Sequence, residues 1–387
     1  MVVFGTRPEA VKLAPIILAL DESAHFAPFV AVTAQHREML DQVNGLFGIM
    51  PDADLDIMRP RQSLAGITTR ALAGLDELVA KVRPDALVVQ GDTTTTFVGG
   101  LAAHYHRVPV VHVEAGLRTF DRYSPFPEEM NRRLTSQLAS LHLAPTPASR
   151  TNLVAEGIDR GSVVVTGNSV IDALLWTVGK RIAYDDPALE RLDDDPRRVL
   201  LVTAHRRESW GEPMAGVGRA VSRLARQDPD LLVVLPVHRN PAVREALLPP
   251  LAGLPNIVIT EPLGYGGFAR LIDRAHLVLT DSGGVQEEAP SLGKPVLVMR
   301  DNTERPEAVT AGTARLVGTD EGRIVNEVTR LLHDGAAYRA MANAVNPYGD
   351  GRAATRSVQA LDHLFGLGPA ASEFDPENLL QITKAAR

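Results

Sequence analysis

Short apolar runs rich in β-branched residues recur roughly every 25 to 40 residues, with stretches of helical periodicity between them. In the first half they fall at 2–4, 29–33, 86–90, 109–113, 141–145 and 162–166. The series then starts again at 199–203, 231–236, 257–261, 277–281, 295–299 and 314–318. Runs that do not alternate with polar residues predict strands covered on both faces, so each series predicts βαβ units around a parallel sheet. The expected fold is α/β, with two Rossmann-like doubly wound domains. Residues 1–168 form the N-terminal domain and 169–350 the C-terminal one. Residues 351–366 form a closing helix, and 367–387 a tail that its composition marks as weakly ordered. The boundary is expected near 168–196, where "GNSVIDALLWTVGKR" gives way to "DDPALERLDDDPRR", a polar linker without an apolar period. Ligands of such sheets bind beyond the carboxyl ends of the strands, so the site is expected in a cleft between the domains.

Composition narrows the classes. A length of 387 residues exceeds one ordinary core, and 45% hydrophobic with 22% charged residues is a globular balance. A net charge of -7 argues against nucleic-acid partners, which require a basic face. No apolar run reaches the roughly 20 residues of a membrane helix, and no signal-peptide pattern opens the chain, so no membrane partner and a cytoplasmic location are expected. With no cysteine, thiol chemistry and disulfides are excluded, and the eleven histidines form no close ligand pair on a helix, so no metal is expected.

The candidate chemistry sits where strands give way to helices. "VFGTRPEAVKLAP" is a strand, a turn and a helix start; Arg7 and Lys12 with the helix N-terminus could serve an anion, or be a solvated cap. "QGDTTTTF" places Asp92 at a second junction, either as N-cap or as a cleft carboxylate. The next junction brings Glu114, so two adjacent strands put acids on one sheet edge. In "PFPEEMNRR", Arg132 and Arg133 can pair with Glu128 and Glu129 as a solvated helix face, a reading that suits Glu129 better than Glu128. In the second half, His205 follows a strand and is read evenly as functional or structural. The turn Ser282-Gly283-Gly284 offers donors at close backbone approach to a phosphate; Glu288 is placed to accept from a ribose, and Arg305 starts another helix.

These motifs, with "HVEAGLRT", "GNSVIDAL", "TAHRRES", "EPLGYGGF" and "DSGGVQEEAPSLGKPVLVMRDNTERPE", resemble in order and over nearly the whole chain the bacterial non-hydrolysing UDP-N-acetylglucosamine 2-epimerases. The resemblance implies a glycosyltransferase-B arrangement of the two domains, with the closing helix crossing back to the first. It also implies a homodimer, no cofactor, and reversible conversion of UDP-N-acetylglucosamine to UDP-N-acetylmannosamine for cell-surface polysaccharide. Carried over by motif, Asp92, Glu114 and Glu128 would be the catalytic acids and bases, with His205. Arg7, Lys12, Phe268, Ser282, Gly283, Gly284, Glu288 and Arg305 would hold the UDP-sugar. A second UDP-N-acetylglucosamine would bind as allosteric activator near Gln35, His36, Arg61 and His238. The alternatives are a hydrolysing 2-epimerase, a glycosyltransferase of the same architecture, and a catalytically silent sugar-nucleotide sensor.

Overall fold

In the computed structural model, which describes residues 1–34, 37–59 and 62–377 (backbone alone for 37 and 38), the apolar runs of each half assemble into a separate sheet. The first holds β1 (Val2–Phe4), β2 (Val30–Val32), β3 (Ala53–Asp54), β4 (Leu87–Gln90), β5 (Val110–Val113), β6 (Leu141–Ala144) and β7 (Val163–Val165), in the order 3-2-1-4-5-6-7. The second holds β8 (Arg198–Thr203), β9 (Leu231–Pro236), β10 (Ile257–Thr260), β11 (Leu277–Thr280), β12 (Val296–Val298) and β13 (Ala314–Leu316), in the order 10-9-8-11-12-13. Every pairing is parallel. The strand order reverses between β1 and β4 in one sheet and between β8 and β11 in the other, and doubly wound sheets bind ligands beyond such reversals.

Burial explains the unbroken apolar runs. Leu87, Val89, Leu200, Leu201 and Val202 are solvent-free, and each such side chain contributes about 1.5–3 kcal/mol. Strand β3 is the one element without an apolar signal: its surroundings carry Asp52, Asp54 and Asp56, as suits an edge strand with a single neighbour.

The described chain divides into two compact units: Met1–Ala173 together with 348–377, and Leu174–Pro347. The helix Ala353–Leu364 therefore belongs to the first unit, packed on the helix Arg7–Asp21. Its first turn is capped by Asp172, which accepts from Ala353 N at 3.2 Å and Ala354 N at 2.9 Å. Two expectations change. The tail is anchored as far as Phe374, which is buried and donates its N–H to Val165 O at 2.7 Å, while Glu373 pairs with Arg150 at 2.6 Å. Charged and small residues hid an attachment that depends on one aromatic side chain and the open edge of β7. The polar linker likewise buries Leu189 and Leu192 in two short 3-10 turns, too few apolar positions to set a period.

Candidate functional site

In the first unit the turns after β1, β4 and β5 converge. Glu114 follows β5 in left-handed backbone, φ 61°, a conformation that costs a non-glycine residue about 1–2 kcal/mol. Its carboxylate is nearly solvent-free, with Lys12 Nζ 2.5 Å from Oε1, Gln90 Nε2 donating to Oε2 at 2.5 Å and Asn168 Nδ2 donating to Oε1 at 3.1 Å. Gly116 makes the tight return possible: at φ 92°, a Cβ there would stand 2.2 Å from Ser149 O. Lys12, expected to face an anion, is thus engaged by a carboxylate.

Asp92 is not the N-cap of its helix. Thr93 takes that role, accepting from Thr96 N, and leaves the Asp92 carboxylate to Arg132, 2.5 Å away. Asn131 Nδ2 holds the Asp92 carbonyl at 3.0 Å. Burial pushes the Asp92 carboxyl up; Arg132 pulls it back and Glu114 pushes it up again. Asp92 and Glu114 therefore share one electrostatic environment.

Around them runs a network that the sequence pattern described only in part. Glu129 does pair with Arg133 at 3.1 Å and with Arg132 at 3.4 Å, but its side chain is fully buried rather than solvated. It also accepts from Thr119 N at 3.0 Å and Phe120 N at 3.3 Å, pinning the loop after β5. The spacing gave the ion pairs and missed the backbone donors, which come from ten and nine residues away. Glu128, one position earlier, is half-buried and has no side-chain partner among the described residues.

Glu9 was given no role, yet it is the hub of the β1 and β4 turns. Buried with no cation partner among the described residues, it accepts from Gly5 N at 3.0 Å, Thr6 N at 2.8 Å, Thr93 Oγ1 at 2.7 Å and Thr96 Oγ1 at 3.1 Å. Burial raises its carboxyl, against those hydrogen bonds. Thr6-x-x-Glu9 has the spacing of a capping box, a signal that could have found it. Arg7 is exposed at the head of this helix. His112 Nε2 donates to Gly91 O at 2.7 Å, and burial lowers its ring to about 3, so it is the neutral tautomer with the proton on Nε2.

In the second unit the turns after β8 and β11 meet. Asp281, solvent-free at the end of β11, accepts from His205 N at 2.7 Å and Arg206 N at 2.8 Å, and its other oxygen lies 3.0 Å from His205 Nδ1. Burial raises the Asp281 carboxyl, but the His205 ring and the two N–H groups outweigh it and the net direction is down. The half-exposed imidazole is thereby oriented with Nε2 outward, stacked on His238 at 6.2 Å. Ser282 starts the short helix Gly283–Glu288. Gly283 is buried and Gly284 exposed, and a Cβ on either would meet only side-chain ends at 3.7 Å. Glu288 accepts from Tyr265 Oη at 3.1 Å, Arg305 is ion-paired with buried Glu287, and Phe268 is half-buried on the helix Tyr265–Arg274. Of the residues expected around an activator, His238 lies beside His205 as described; Gln35, His36 and Arg61 fall outside the described residues.

Among the described residues no group of three or more His, Asp or Glu could hold a metal, and no helix is long and apolar enough to cross a membrane.

Comparison with known proteins is direct. The family model described as UDP-N-acetylglucosamine 2-epimerase matches residues 18–362. The UDP-N-acetylglucosamine 2-epimerase of Escherichia coli K12 is 54% identical over 366 residues, 93% of this chain and 97% of that protein. The crystal structure of UDP-GlcNAc 2-epimerase from Neisseria meningitidis bound to UDP-GlcNAc is 48% identical, with TM-score 0.83 over 93% of this chain and 98% of that one. The S. aureus MnaA-UDP co-structure is 46% identical, with TM-score 0.84 over 97% and 99%. Sequence and fold agree over both units, and the chain belongs to the UDP-N-acetylglucosamine 2-epimerase family.

Proposed function

We propose that this protein interconverts UDP-N-acetylglucosamine and UDP-N-acetylmannosamine without releasing free sugar, supplying N-acetylmannosamine units for cell-surface polysaccharide. The observation that carries the reading is the pair Glu114 and Asp92, two carboxylates on adjacent turns, each fixed by its own cation 2.5 Å away. Epimerisation at C2 demands such a pair. The C2 proton is not next to a carbonyl, so a carboxylate can remove it only as the C1–O bond to UDP breaks. The C2–H electrons become the C1=C2 double bond of 2-acetamidoglucal, and the C1–O electrons leave with UDP. In the return step a proton reaches C2 on the opposite face as a UDP oxygen re-adds to C1. Acids and bases are needed on both faces, which Asp92, Glu114 and Glu128 supply, Glu128 being free of internal partners among the described residues.

Departure of UDP builds negative charge on the diphosphate, and cations and N–H donors answer it. His205, oriented by Asp281, and the donors of Ser282, Gly283 and Gly284 stabilise that charge together with Arg305, Arg7 and Lys12. Glu288 takes the ribose hydroxyls and Phe268 the uracil face. The names of the relatives bound to UDP-GlcNAc and UDP support this ligand class. A homodimer, and a second UDP-N-acetylglucosamine acting as activator near Gln35, His36, Arg61 and His238, complete the proposal.

Incubation with UDP-N-acetylglucosamine in deuterated water tests it. UDP-N-acetylmannosamine with deuterium at C2 is the expected product. Free N-acetylmannosamine with stoichiometric UDP would instead mean the hydrolysing reaction, and absence of exchange and turnover a sensor.

A further inference from the structure

The chain leaves the first unit after Ala173 and returns to it at Tyr348, and Asn168 joins that return to the Glu114 carboxylate. Asn168 is buried at 3% exposure and uses three of its polar groups at once. Its backbone N–H donates to Tyr348 O at 2.6 Å, its Oδ1 accepts from Val170 N at 3.2 Å, and its Nδ2 donates to Glu114 Oε1 at 3.1 Å. The next residue continues the pattern: Ser169 Oγ donates to Lys12 O at 2.6 Å, in the helix whose Lys12 Nζ meets the same Glu114 oxygen. The returning segment leaves little slack, since a Cβ on Gly349 would stand 3.1 Å from Ile171 Cγ1 and 3.4 Å from Asn168 O.

We infer that Asn168 is a positioning residue for Glu114, holding its carboxylate in place by a hydrogen bond whose own geometry is fixed by the returning chain at Tyr348. This rests on the reading of Glu114 as a base at C2. A carboxylate in strained left-handed backbone needs external donors to stay aimed, and Asn168 is the donor tied to the point where the two chain crossings meet. Lys12, Asp92 and His112 are the charged or titratable groups facing Glu114 from the neighbouring elements.

Two substitutions separate positioning from a merely structural role. Asn168→Asp keeps the acceptor that caps Val170 N but replaces the donor with a second carboxylate beside Glu114; Asn168→Ala removes both. The expectation is C2 exchange slowed about tenfold in the alanine variant and about 100-fold in the aspartate variant, in kcat rather than KM. UDP affinity stays within about twofold, and a urea transition of the first unit close to that of wild type certifies that each variant folds. Gly349→Ala, which touches no candidate catalytic group, lowers exchange in the wild-type background and has no added effect with Asn168→Ala. An aspartate variant that exchanges like wild type while the alanine variant is impaired would reduce Asn168 to a helix cap, and wild-type exchange in both overturns the inference outright. Glu114→Gln run in parallel keeps the outcomes distinct: if it still exchanges, the assignment of Glu114 itself fails and takes this inference with it.

Discussion

The two units share a strand order through their reversal point, yet the edges beyond it are built in opposite ways. In the first, acids stand at the turns and cations restrain them: Lys12 on Glu114, Arg132 on Asp92. In the second, the roles invert. Arg305 is held by Glu287, Arg206 by Glu304 at 3.4 Å, and the His205 imidazole by Asp281. One topology thus yields a carboxylate edge suited to proton transfer and a donor edge suited to an anion, according to which sign of charge is left facing the turn and which is buried behind it.

The sharpest way to break this division is Glu114→Gln. C2 exchange should fall by about 10³-fold or more, roughly 4 kcal/mol of barrier, while UDP affinity by calorimetry stays nearly intact. Loss of both together would make the carboxylate edge structural. Next in size, Gly116→Ala forces a Cβ onto Ser149 O and should destabilise the first unit by about 3 kcal/mol in urea, with the transition of the second unit unmoved. Arg305→Ala probes the opposite edge: UDP should bind about 10- to 100-fold more weakly, and unchanged affinity would remove Arg305 from the phosphate site.

The smallest effect concerns pH. Burial lowers the His112 ring from 6.5 to about 3, so its contribution to stability is complete above pH 6.5 and is lost as pH falls toward 3. Burial raises Asp172 from 3.8 to about 6, the opposite sign: its contribution is complete below pH 3.8 and is lost as pH rises through 6. Asp172→Asn removes the second while keeping an acceptor for the helix Ala353–Leu364. The variant should then lose stability more steeply than wild type from pH 7 to pH 4, by on the order of 2 kcal/mol, as measured by denaturant midpoints. Parallel pH curves would show that Asp172 titrates alike in both states.

Much of this was legible because the signals are local. Parallel strands buried on both faces write themselves as apolar runs, and Asp92, Glu114, His205 and Ser282 stand at the ends of such runs, where the strand tells where the residue lies. What escaped was non-local. Gln90 and Asn168 are unremarkable in sequence and matter because they reach Glu114 from 24 and 54 residues away. Glu129 was read by its helix neighbours, whereas its burial is decided by Thr119 and Phe120. Asp281 looks like one more polar turn residue until His205 folds against it from 76 residues away.

The anchoring of Phe374 on β7, with Asp172 capping the helix Ala353–Leu364, has a consequence for synthesis. Translation delivers the strands of the first sheet by residue 165 but withholds their closing helix and edge cover for some 200 further residues, roughly 10–40 s on the ribosome. The second unit, contiguous in sequence, is delivered whole in that interval. The domain begun first is therefore completed after the second, and until Phe374 has emerged its β7 edge stays open to a chaperone or to another nascent chain.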